Sequence, residues 1–213
     1  MSNIVFLDTE TGGTDPKQHS LLSLAAIITD TSFNEIRRFE SFVRQPAYVV
    51  SGEAIRKNKI DVSGDESWPD ALSVKQAFVE FLGLPVDILN GVKNVDNRWV
   101  IHGKNPNFDV LFLKAFFGEH VYNSLFMYYT RDVTETFVVL VDEGIYQRPK
   151  HLTLQDLCIV LGVEHDENAL HNAMYDTEMT LKCAQKMQVQ INQVRQLVQQ
   201  VRARRAAVRG PIA

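Results

Sequence analysis

Residues 4–13 read IVFLDTETGG, an apolar run that ends abruptly in two carboxylates one residue apart. The apolar part predicts a short strand buried on both faces. Burying an unpaired carboxylate at its tip would cost several kcal/mol. Something positive must therefore meet the end of this strand. Side chains two apart on an ideal strand share a face, so Asp8 and Glu10 can point into one cavity.

The pattern downstream predicts what surrounds that strand. SLLSLAAIITD (20–30) carries Leu22, Leu24, Ala26 and Ile28 in alternation, and EIRRFESFVR (35–44) alternates Phe39, Ser41 and Val43. Together they predict a strand meander with turns near 14–19 and 31–34. EAIRKN (53–58) predicts a helical turn. Ser67-Trp-Pro-Asp-Ala predicts the opening of a helix that reaches Gly83, with Pro69 in its first turn. Residues 84–97 read as a loop or a hairpin. RWVIHG (98–103) is a further short strand, and NFDVLFLKAFFG (107–118) an apolar helix stopped by Gly118. MYYTRDV (127–133) predicts a strand and TETFVVLVDEG (134–144) a helix. Thr153-Leu-Gln-Asp156 matches a capping box for a helix ending near Gly162, and another helix begins around Asn172. Strands first, then strands alternating with helices, predict an α/β fold around a mixed sheet.

At 213 residues the chain is expected to form one domain with an appendage, and 45% hydrophobic residues suffice for a core. No apolar run reaches the length of a membrane span. MSNIVFLDTE lacks the basic start and small-residue cleavage site of a secretory signal. Cys158 and Cys183 both fall in apolar helical contexts, which fits reduced thiols in a cytoplasmic protein.

The net charge of −4 hides an asymmetry. From residue 181 onward there is no acidic residue, and there are seven cations: Lys182, Lys186, Arg195, Arg202, Arg204, Arg205 and Arg209. The remainder holds 15 cations against 26 acidic residues, a net −11. Such a basic tail fits nucleic acid, an acidic partner or a solvated helix end. Ala184, Met187, Ile191, Val194, Val198 and Val201 follow spacings of three and four, the seam of a coiled coil. That seam predicts a partner helix, from a second copy or another protein, or else a helix whose outer half frays.

Asp109 lies just inside the helix after RWVIHG, and Asp176 in the first turns of the helix after LHNAMYD. If the strands are neighbours, these two converge with Asp8 and Glu10 at one sheet edge. Four carboxylates cannot stay ionised together without cations. Oxygen-only ligands suit Mg²⁺ or Mn²⁺, and no Cys/His spacing for zinc is present. A pair of such cations about 3.5–4 Å apart is the usual machinery of phosphodiester hydrolysis. Gly12 and Gly13 would let backbone approach a nucleotide closely. His171 lies five residues before Asp176. On a continuous helix that is about 500° of rotation, so the two would face apart. On a loop before the helix, His171 can lean over the site, and its near-neutral pKa suits a general base. Otherwise it is a structural or surface histidine, as His102, His151 and His165 are expected to be.

Asp8-x-Glu10, then Asn107-Phe108-Asp109, then His171-x-Ala173-x-x-Asp176 resemble the three motifs of DnaQ-like, DEDDh-type 3′–5′ exonucleases. The resemblance spans roughly residues 3 to 187, and LTLQDLCIVLG (152–162) resembles the helix before the last motif. It implies a ribonuclease H-like sheet flanked by helices, with two divalent cations, Mg²⁺ or Mn²⁺. It implies that Asp8, Glu10 and Asp176 bind metal, that Asp109 helps to hold the second ion, and that His171 is the base. Thr9, Thr11 and Gly12 match the loop that receives the 3′-terminal nucleotide. Phe108 matches an apolar position beside the substrate, or it is simply core. Two departures stand out: Lys-Asn-Pro within HGKNPNFD, and Thr177 where many members have Ala.

The expected organisation is therefore a nuclease domain over 1–187 and a basic helical extension over 188–213. The expected activity is release of nucleoside 5′-monophosphates from a nucleic-acid 3′ end, single-stranded DNA before RNA. The rival readings are a polymerase-associated proofreading subunit, an RNA-trimming enzyme and a non-catalytic nucleic-acid-binding protein.

Overall fold

The computed structural model describes residues 3–93 and 96–209, the side chains of 203 and 205–209 excepted. Within it, one mixed sheet contains β1 (Asn3–Thr11), β2 (Leu21–Thr29), β3 (Glu35–Phe42), β4 (Trp99–Gly103) and β5 (Arg131–Asp132). Their spatial order is β3-β2-β1-β4-β5. β1, β2 and β3 form the predicted antiparallel meander. β4 runs parallel to β1, and β5 parallel to β4. The helices are α1 (Gly52–Asn58), α2 (Ala71–Phe81), α3 (Pro106–Phe117), α4 (Glu119–Leu125), α5 (Val133–Asp142), α6 (Leu154–Leu161) and α7 (Ala173–Arg209).

The pleat of β1 divides the molecule. Ile4 and Phe6 face a core shared with α5, α6 and the first half of α7. Val5 and Leu7 face a second core shared with α2, α3 and α4. β2 is buried along all nine residues because both its faces are covered. Fully burying one large apolar side chain contributes about 1.5–3 kcal/mol, so these two layers anchor everything that follows.

Local chemistry sets the helix ends. Thr153 and Asp156 form the predicted capping box, with the Asp156 amide donating to Thr153 Oγ1 (3.1 Å) and the Thr153 amide donating to Asp156 Oδ2 (3.0 Å). Asn172 Oδ1 accepts from the Tyr175 amide (2.9 Å) at the start of α7. Thr177 is tolerated in α7 because its hydroxyl donates to Ala173 O (2.7 Å).

Three expectations are corrected. The helix expected from Ser67 starts at Ala71: Asp70 is its cap, accepting from the Ser73 amide, and Pro69 stands outside, its carbonyl accepting from the Arg44 amide. The loop or hairpin over 84–97 contains a 3-10 helix at Val86–Asn90, ended by Gly91 at φ 91°. The strand over 127–133 shrinks to two residues, because Asp132 turns to cap α5 by accepting from the Thr134 amide. After Gly118 stops α3 as expected, the chain starts α4 at once.

The predicted seam splits. Ala184 and Met187 are buried and Ile191 packs at the core margin. Val194, Val198 and Val201 are 40%, 42% and 42% exposed, so the outer half of α7 projects alone as a helix. Cys158 and Cys183 are free and buried, with 3.7 Å between their sulfurs. Among the described residues, no helix is long and apolar enough to cross a membrane.

Candidate active site

The alternation that builds the cores also sorts the carboxylates. Asp8 and Glu10 continue the face of Ile4 and Phe6, the α7 side, and Asp176 sits in the first turn of α7. Thr9 continues the other face, the α3 side, and Asp109 sits in the first turn of α3. The register with β2 shifts between Glu10 and Thr11, an irregularity of the kind that often marks a site.

Three carboxylates meet directly. Oxygens of Asp8, Glu10 and Asp176 all lie within 4.8 Å of one another. Asp109 arrives from behind: the Thr9 amide (2.9 Å) and hydroxyl (2.6 Å) both donate to its Oδ1. Asp176 Oδ2 accepts from the His171 amide (3.2 Å), while Asp176 Oδ1 is buried without a hydrogen-bond partner. All four line one cavity of about 420 Å³, and His171 and Phe108 line it too.

The cluster is electrostatically loaded. Burial, then the charges of Asp109, Asp176 and Glu10, push Asp8 well above the usual carboxylate range. Burial, then Asp176, raises Glu10 to about 8, against the pull of Lys57 and a hydrogen bond from Asn58. Burial raises Asp109 to about 7 even though Thr9 stabilises its charged form. Burial raises Asp176 to about 6. An all-oxygen donor set with an orphaned buried Asp176 Oδ1 fits a hard divalent cation, which would relieve each of these shifts.

His171 is on the loop, not the helix. It is half-buried, at φ 69°, two residues before α7 begins. Burial, then Lys57 and Lys59, lower its pKa, which favours the neutral imidazole. His102 instead packs between Phe6 and Phe33.

The loop residues have internal duties. Thr11 is buried and its hydroxyl donates to Gly13 O (2.7 Å). Gly12 donates to Ser20 O and accepts from the Ser51 amide. A Cβ on Gly12 would sit 2.3 Å from Val49 O, and one on Gly13 would sit 2.4 Å from the His19 ring. Both glycines therefore answer to close packing within the chain. Phe108 does two things: it lines the cavity and lies 5.1 Å from the Phe112 ring.

The exonuclease family profile RNase_T matches residues 5–184. The chain belongs to this exonuclease family. The family is DnaQ-like, within the ribonuclease H-like superfamily. Two relatives are each named Ribonuclease T. One, from Wigglesworthia glossinidia brevipalpis, is 24% identical, covering 83% of this chain and 80% of its own. The other, from Marinobacter nauticus, is 27% identical, covering 83% of this chain and 77% of its own. The fold resembles E. coli exonuclease I in a zinc-bound complex with single-stranded DNA, at TM-score 0.71 and 21% identity over 89% of this chain. It also resembles apo exonuclease I, at TM-score 0.68 and 21% identity over 89% of this chain. This exonuclease chain spans 41% and 42% of the length of those two structures.

Lys104 and Asn105, from the Lys-Asn-Pro departure, also line the cavity, and so do four residues without a motif signal: His19, Ser51, Lys57 and Asn58. The one hint was compositional, three cations within RKNK (56–59) in an otherwise acidic body.

Proposed function

We propose that the chain shortens nucleic acid from its 3′ end, with single-stranded DNA favoured, and releases nucleoside 5′-monophosphates. The reading is carried by the convergence of Asp8, Glu10 and Asp176 within 4.8 Å, in a cavity that His171 also lines. Asp8, Glu10 and Asp176 would hold divalent cations, two of Mg²⁺ or Mn²⁺, with Asp109 adding charge from the α3 side. When bound, such cations supply Lewis-acid stabilisation of the phosphate and lower the pKa of water.

The chain's own residues do the rest. Neutral His171 accepts a proton from the water that attacks the terminal phosphodiester. The bond from phosphorus to the 3′-oxygen of the preceding nucleotide breaks. That oxygen leaves as the new 3′-hydroxyl after taking a proton from solvent. Thr9 holds Asp109 in place through two hydrogen bonds. Phe108 offers an apolar edge to the terminal base, and Thr11 with Gly12 fixes the loop that borders it. Residues 1–187 form the nuclease unit in this reading, and 188–213 an extension for nucleic acid, a second copy or another protein.

RNA trimming is the second reading, and the name Ribonuclease T carried by both relatives supports it. One experiment tests both. A 5′-labelled single-stranded DNA and a matched RNA are followed in Mg²⁺ or Mn²⁺, with EDTA and Asp8→Ala controls. The expected result is a ladder shortening from the 3′ end, faster for DNA, lost in both controls. Faster RNA shortening selects the second reading. No shortening of either strand by folded protein overturns both.

A further inference from the structure

α1 forms one wall of the cavity, lined by Glu53 and Lys57, and it is pinned at both ends to the loop after β1. The Ser51 amide donates to Gly12 O (2.6 Å), and Asn58 Nδ2 donates to Thr11 O (3.2 Å). Ser51 also caps the helix by accepting from the Ala54 amide (3.1 Å). Lys59, in the left-handed region at φ 58°, ends it with its amide on Ile55 O. Lys57 is the residue before the Asn58 anchor. It is exposed and lines the cavity.

Lys57 lines the same cavity as Asp8, Glu10, Asp176 and His171. Arg56 and Lys59 flank it in sequence. Five carboxylates line the cavity (Asp8, Glu10, Glu53, Asp109 and Asp176), and among its lining residues Lys57 and Lys104 are the ammonium groups that a phosphate at its mouth can meet. An ammonium is a compact point charge with three donors, suited to phosphate.

We propose that Lys57 is a substrate-binding residue that takes a backbone phosphate of the strand at the mouth of the carboxylate site. This rests on the nuclease reading above. Its ammonium is exposed at the cavity, open to an incoming strand.

The test uses the full chain, Lys57→Met and Lys57→Arg, with circular dichroism as the check on folding. The binding of a 5′-labelled single-stranded DNA whose terminal linkage resists hydrolysis is titrated across salt. Lys57→Met is expected to weaken strand binding about tenfold for every base sequence, and to flatten the salt slope by about 0.7. Lys57→Arg is expected to restore most of it. Unchanged strand affinity and salt slope in folded Lys57→Met overturn the proposal, even if wild type degrades DNA. A wild type that never shortens a strand, yet binds it through Lys57, overturns the nuclease reading and leaves the role of Lys57 standing.

Discussion

The two halves of β1 differ in what they ask of their surroundings. Ile4 to Leu7 are buried between two apolar layers and ask only for packing. Asp8 and Glu10 continue the face of Ile4 and Phe6 on the same strand, yet burial raises the pKa of each, so the metal-free fold holds them against their charge. The first half stabilises the molecule; the second half is tolerated because the first half is strong. Function has been placed where packing holds a strained electrostatic arrangement still.

The largest effects should separate the halves cleanly. Phe6→Ala is expected to cost about 3–5 kcal/mol in urea unfolding, since the ring is fully buried. Asp8→Asn is expected to lose about a thousandfold or more in nuclease activity. Its metal-free stability should hold or rise, because an amide removes one of the repelling charges. Asp8→Asn unfolding as readily as Phe6→Ala would erase the distinction.

Next in size is the pH dependence of the metal-free protein. Unfolded carboxyls titrate at about 4. The folded chain keeps protons on Asp176 to about 6, Asp109 to about 7 and Glu10 to about 8. The folded state therefore binds more protons than the unfolded state across that window. Stability present at pH 4 is lost as pH rises towards 8, by an amount on the order of a few kcal/mol. Thermal unfolding in EDTA should show this fall, and Mn²⁺ should reverse it at pH 8. A flat profile in EDTA would mean that burial does not oppose the charges of these carboxylates.

Thr9→Val should have a smaller effect. It removes one of two donors to Asp109 and leaves the backbone donor, costing about 1–2 kcal/mol of stability near pH 8. Asp109 should then titrate higher, and the acid limb of the activity profile should move up with it. An unmoved limb would detach Thr9 from the carboxylate's charge.

The smallest stability effect belongs to the outer half of α7. Deleting residues 192–213 should change urea unfolding by less than about 0.5 kcal/mol, because the residues from 192 to 202 are exposed. Strand binding should weaken and respond less to salt, since five arginines leave with the segment. Unchanged binding would assign the extension to a protein partner.

What was legible in the sequence was what adjacent residues decide. The pleat puts Asp8 and Glu10 together, Gly118 stops a helix, and Thr153 with Asp156 starts one. Counting helical rotation back from Asp176 left His171 either on a loop over the site or as a structural or surface residue, and the structure puts it on the loop. What stayed hidden depends on distant chain. The crowding at Gly12 comes from Val49, and Asn58 reaches back to the Thr11 carbonyl. No local period announces either contact, so the wall that α1 builds over the site could not be read. The shortness of β5 was hidden for another reason: Tyr128 and Tyr129 favour strand, but Asp132 is taken by the helix after it.

The Thr9–Asp109 link joins residues 100 positions apart, and Asp176 lies later still. Asp8 and Glu10 leave a ribosome early, as two ordinary solvated acids. At translation speeds of about 5–20 residues per second, on the order of ten seconds passes before α7 begins to emerge. Through that interval the growing chain carries two of the four carboxylates and cannot bring them to the others. The cluster, with its mutual charge, cannot form until α7 has been made and packs against β1.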